Sequence, residues 1–177
     1  MKTNKLFLLL IGFIATFNVS FAQERANIRE DWFYICSKLD PDYCIDVKGG
    51  KAVKGQNIQL YRSNETYAQL WYFYKQDNGA YILFSALAES SDDGFVVGIA
   101  EGNIRNDQNI ELQKYNGSKA QMWYITKDSN TKGYYMIRSA KNDEYVMTLN
   151  QGDVCNGSNI KIRKDANSKN QKWKLCQ

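Results

Sequence analysis

The chain has no histidine and a single proline, Pro41, among its 177 residues. Without imidazole, neither a Ser-His nor a Cys-His nucleophile pair can be built. The four cysteines, Cys36, Cys44, Cys155 and Cys176, follow no zinc spacing, so no metal or other cofactor is expected. An excess of one charge is also lacking. Lys and Arg number 23 against 19 Asp and Glu, and the basic residues are scattered among acidic ones. No basic stripe is present to follow a phosphate backbone, so nucleic acid is not an expected partner. Beyond the first 22 residues no long apolar run occurs, and no segment carries a sustained helical stripe.

Those first residues read as an export signal. Lys2 and Lys5 give a short basic start, 6–17 is apolar, and Ser20 and Ala22 are small residues at the −3 and −1 positions of a cleavage after Ala22. The other reading is a membrane anchor, but the run falls short of the ~20 apolar residues a span needs. Cleavage is therefore expected to leave a chain that does not insert into a membrane. That chain would be secreted, or periplasmic or at the cell surface in a bacterium. Residues 23–31 form an N-terminal segment, and 32–177 suits one domain. Loss of Lys2 and Lys5 takes the net charge from +4 to +2.

What the chain does have is a repeat. Gln69-Leu70-Trp71 returns as Gln121-Met122-Trp123 and as Gln171-Lys172-Trp173. Fourteen residues before each Trp stands an Asn, at Asn57, Asn109 and Asn159. Fourteen earlier again stands an aromatic, at Tyr43, Phe95 and Tyr145, each followed by a Gly at a fixed offset, Gly50, Gly102 and Gly152. The three units align over this stretch without a gap, and such repetition decides a fold before local propensity does. In the first unit the strand-like runs are 32–37, 43–47, 57–62 and 71–74. Period-2 alternation points Ile45, Val47, Ile58 and Leu60 inward and Cys44, Asp46, Gln59 and Tyr61 outward. Twelve short strands with glycine-bearing turns predict an all-β barrel or sandwich. One unit cannot bury its apolar face alone, so three must share a core around a pseudo-threefold axis. The tryptophans are expected in that core, and the glutamines on buried backbone groups.

Three Gln-x-Trp phrases in register, together with Tyr43-Cys44-Ile45-Asp46-Val47 and Asn57-Ile58-Gln59-Leu60-Tyr61, resemble the ricin B-type lectin domain over about 32–177. The resemblance implies a β-trefoil: a six-stranded barrel closed by three hairpins, with repeats at about 32–78, 79–130 and 131–177. It implies a non-enzymatic module that binds sugar, either galactose-type or a plant or cell-wall polysaccharide, in shallow pockets of one per repeat. The family's pocket uses an Asp in the second strand, an aromatic platform ending the third, a polar residue two before it, and an Asn before Gln-x-Trp. The first unit matches with Asp46, Tyr61 and Gln59, but has Ala68 in place of the Asn. The second has Gly98, Gln113 and Ala120, and keeps nothing. The third has Thr148, Arg163 and Asn170, and keeps only the Asn. The expectation is carbohydrate binding confined to Asp46, Gln59 and Tyr61. The alternative is a structural trefoil that contacts other secreted proteins and whose sugar sites have decayed. A glycosidase would need two facing carboxylates; Asp92, Asp93 and Glu101 fall in expected loops with no evident partner.

An even cysteine count in an exported chain implies two disulfides. In a trefoil the first and last strands are neighbours, which would allow Cys36–Cys176. The other pairing is Cys36–Cys44 with Cys155–Cys176. The sequence leaves both open.

Overall fold

The structure, a computed structural model, describes residues 23–88 and 94–177. The expected leader at 1–22 lies outside the described residues, as do Asp92 and Asp93.

Twelve strands occur among the described residues, four per repeat. They are β1 Trp32–Ser37, β2 Tyr43–Val47, β3 Gln56–Arg62 and β4 Leu70–Lys75; β5 Tyr81–Ser85, β6 Phe95–Ile99, β7 Gln108–Lys114 and β8 Trp123–Lys127; β9 Tyr135–Ser139, β10 Tyr145–Leu149, β11 Ile160–Lys164 and β12 Trp173–Cys176. Every pairing is antiparallel. The ladder β1–β4–β5–β8–β9–β12 returns to β1 and closes a six-stranded barrel. The hairpins β2–β3, β6–β7 and β10–β11 cap one end. They are joined through β3–β7 and β7–β11, and by an isolated bridge between Gln59 and Asn159. This is the β-trefoil, with the first and last strands adjacent.

The repeated residues build its threefold core. Trp71, Trp123 and Trp173 are fully buried. Each donates its indole N–H to a second-strand carbonyl of its own repeat: Ile45, Val97 and Met147, at 3.4, 3.1 and 3.2 Å. The glutamines two residues earlier clamp the turn after the third strand. Gln69, Gln121 and Gln171 donate to the carbonyls of Arg62, Lys114 and Lys164 and accept from the N–H groups of Asn64, Asn116 and Ala166. Buried backbone groups that the turn leaves unpaired are thereby satisfied. The repeated asparagines meet one another. Asn57 donates to Asn159, Asn159 to Asn109 and Asn109 to Asn57, at 2.8, 2.8 and 3.0 Å, closing a cyclic ring between the three hairpins.

Two features differ from the sequence expectations, and residues 23–31, the N-terminal segment, bond to the barrel. Ala26 N–H bonds the Ile125 carbonyl at 2.8 Å, and Tyr81 Oη both accepts from Ile28 N–H and donates to the Ile28 carbonyl. Only one disulfide forms, Cys36–Cys44. Those residues are cross-strand partners, whereas Cys36 stands opposite Lys174 and Cys176 opposite Tyr34, so Cys36–Cys176 is a diagonal pair. Cys155 and Cys176 are both free thiols. Finally, Cys44, Asp46 and Gln59, expected outward, are nearly as buried as the core side. The disulfide covers the first, and the other two cover each other.

Candidate functional site

The β2–β3 ladder pairs Asp46 with Gln59 and Cys44 with Tyr61, so all four side chains share the outer face. Gln59 Nε2 donates to Asp46 Oδ1 at 2.9 Å, with both residues buried. Tyr61 stands at the rim, 36% exposed. Cys44, one half of the disulfide, is the cross-strand partner of Tyr61. The three expected site residues are thus brought together. They line a pocket of about 510 Å³ with Gly49, Gly50, Asn64, Thr66, Tyr67, Ala68 and Leu87.

Burial pushes the Asp46 carboxyl above its ordinary value, and hydrogen bonds from Gln59 and Gln69 work against that rise. The result is a carboxylate held in place by an amide, beside an aromatic edge. Chemically it can accept hydrogen bonds from hydroxyl groups. Sequence reasoning missed Tyr67 and Gly49. Their signal was departure from the repeat: Tyr67 stands where the other units have Lys119 and Lys169, and Gly49 where they have Glu101 and Gln151.

In the other repeats the positions matching Asp46 and Tyr61 carry different residues, with side-chain bonds of their own, although the second repeat also has a cavity of about 770 Å³, lined by Glu101, Gln113 and Lys119 among others. In the second, the Gln113 amide fills the space beside Gly98; a Cβ there would come within 2.2 Å of Gln113 Oε1. That amide donates to the Ile99 carbonyl and to Glu111, both at 3.0 Å, and accepts from Gln121 at 3.1 Å. In the third, Thr148 bonds the Val146 carbonyl, and Arg163 is paired with Asp107 and Asn150. Asn170 spends its amide on the Leu149 carbonyl at 2.9 Å and its oxygen on Ser168 at 2.6 Å. Glu101 accepts from the Asn103 side chain in its own turn. Among the described residues no group of three His, Cys, Asp or Glu side chains could hold a metal ion, and no helix is long and apolar enough to cross a membrane.

The sequence matches the ricin-type beta-trefoil lectin domain family over residues 31–173. Among curated proteins, none matches it. Among solved structures it resembles a designed threefold-symmetric protein, ThreeFoil, at 17% identity and TM-score 0.76, covering 82% of this chain and 98% of that one. It also resembles a ricin B-like lectin of Macrolepiota procera in complex with lactose, at 20% identity and TM-score 0.70, covering 86% and 99%. A third resemblance is to a mosquitocidal holotoxin, at 19% identity and TM-score 0.75; 84% of this chain is covered, and it spans only 17% of the toxin's length.

Proposed function

The chain belongs to the ricin-type β-trefoil lectin family, and on that premise we propose that it is an exported carbohydrate-binding module with one sugar pocket, in the first repeat. The observation that carries this reading is the Asp46–Gln59 pair beside Tyr61, lining a pocket in a repeat whose two siblings present no such set. A sugar ring is amphipathic. Its C–H face packs on the Tyr61 ring, while its hydroxyls donate to the Asp46 carboxylate and exchange hydrogen bonds with the Gln59 amide. A pocket with an aromatic face and a few convergent polar groups suits such a ligand. The lactose bound by the Macrolepiota procera lectin supports a glycan ligand here. A single shallow pocket reaches affinities of about millimolar, near −4 kcal/mol. Export follows from the 1–22 segment.

A second reading, a structural trefoil that contacts other secreted proteins, draws on the Gln113 and Arg163 side chains that occupy the sibling sites. A glycan array on the mature protein separates the two. The lectin reading expects binding that Asp46→Ala abolishes. Absence of binding to any glycan, or equal binding by Asp46→Ala, refutes it.

A further inference from the structure

We infer that the first-repeat pocket holds two linked rings of a neutral oligosaccharide, with Tyr67 as the wall for the second. This rests on the carbohydrate reading above. Three features of this repeat, two of them departures from both siblings, converge on one place. The first is Gly49, at φ 70°, where the sibling turns hold Glu101 at φ 55° and Gln151 at φ 54°. The siblings show that this turn accepts a side chain despite the left-handed backbone. Glycine is therefore not forced by the fold here, and its effect is on space: nothing lies within 4 Å of the position its Cβ would take.

The second feature is Ala68, which the second repeat shares as Ala120. In the third repeat the matching Asn170 fills the corner with its amide, bonded to the Leu149 carbonyl. Ala68 leaves that amide volume open, and a Cβ on Gly50 would meet the Ala68 methyl only at 3.9 Å. The missing Asn therefore enlarges the pocket as well as removing a hydrogen-bonding group. The third is Tyr67, 68% exposed and lining the same pocket as Tyr61. Among the described residues its ring packs on no other aromatic ring. An apolar ring at a pocket rim, opened on two sides by residues without long side chains, is a contact surface for a further ring of the same ligand.

The ligand's charge class follows from the lining. Among the described residues Asp46 is its one ionisable carboxylate, and no Lys or Arg lines it. An acidic sugar would meet a like charge with no cation to offset it. The acceptor pair and Tyr61 come from the β2–β3 ladder, and Gly49, Ala68 and Tyr67 from the two turns beside it. One ring is held by the ladder and its linked neighbour by the turns.

Isothermal titration of the mature protein with galactose and lactose, and with xylose and xylobiose, tests this. The disaccharide of a binding pair should bind about fivefold more tightly than its monosaccharide, the scale of one added aromatic contact. Tyr67→Ala and, independently, Gly49→Gln should each remove that increment while changing monosaccharide affinity by less than about twofold. Equal affinities for both members of the pair in the wild type overturn the inference, as does an equal loss for both in Tyr67→Ala. In either case, monosaccharide binding that disappears in Asp46→Ala leaves the single-ring reading standing. If the wild type binds none of the four sugars, the inference falls and the glycan array decides the carbohydrate reading; if Asp46→Ala binds them equally well, both readings fall.

Discussion

Asp128 ties the three repeats together, and its replacement has a calculable cost. Its side chain is fully buried in the loop after β8. Lys38, from the loop after β1, reaches Oδ2 at 3.0 Å, and Lys172, just before β12, reaches Oδ1 at 2.9 Å. Burial pushes the carboxyl up, but the hydrogen bonds from Lys172 and Lys38 outweigh it and hold the pKa at about 2, down from 3.8. That displacement corresponds to roughly 2 kcal/mol of folding stability. Because the folded pKa is depressed, this contribution is present above pH 3.8 and is lost as pH falls through about 2. Asp128→Asn removes the charge and leaves two largely buried ammonium groups unpaired, a change that costs about 3–5 kcal/mol at neutral pH. Urea unfolding of wild type and variant from pH 7 to pH 2 measures both effects. The stability gap should be widest at pH 7 and narrow by about 2 kcal/mol between pH 5 and pH 2, since Asn does not titrate. A gap that stays constant across that range would refute the reasoning.

The remaining predictions concern the core and the thiols. Trp123→Ala should destabilise the domain by roughly 3–5 kcal/mol, read as a lower urea midpoint with an unchanged slope, because a fully buried indole and its bond to Val97 are lost together. Peptide mapping under non-reducing conditions should recover a Cys36–Cys44 bridge, with Cys155 and Cys176 carrying the alkylation label; a Cys36–Cys176 fragment would contradict the β1–β12 register.

The repeat made the trefoil legible because each feature occurs three times in register. The runs at 57–62 and 71–74 became Gln56–Arg62 and Leu70–Lys75, displaced by one residue at three of their four ends. Alternation misled at Cys44, Asp46 and Gln59 because it reports which face a side chain takes, and says nothing of what later covers that face. The asparagine at each strand start was visible as a pattern. Its partner was not, since the ring exists only once three hairpins 50 and 52 residues apart have closed. The Lys38–Asp128–Lys172 cluster spans separations of 90 and 44 residues and has no repeat counterpart to draw notice. Tyr67 and Gly49 escaped for the opposite reason: aligning the units rewards agreement, and these two residues break it.

The elements that specify this fold and the residues that give a site its chemistry lie on different faces of the same strands. The Trp, the clamping Gln and the ring Asn point into the core or between hairpins, so the outer face of each β2–β3-type ladder is free to vary. The second repeat shows how a site is lost under that freedom. Gly98 removes the acceptor, and the vacated volume is then taken by Gln113, whose amide satisfies the Ile99 carbonyl and Gln121. The pair is coupled: an Asp at 98 could not be accommodated while Gln113 keeps its present conformation, and moving Gln113 would break three hydrogen bonds. The second repeat therefore keeps a cavity of about 770 Å³ at the matching place, but the space an Asp would need at its wall is taken by Gln113, and a single reversion does not restore the acceptor. The first repeat differs in its polar wall and in one turn. Gly49 leaves open a position where the siblings place Glu101 and Gln151, and the Asp46–Gln59 bond fixes two polar groups at the pocket wall. Decay by drift would be expected to close or scramble that face. A pocket with a fixed acceptor and two exposed tyrosines is what the proposed sugar site requires.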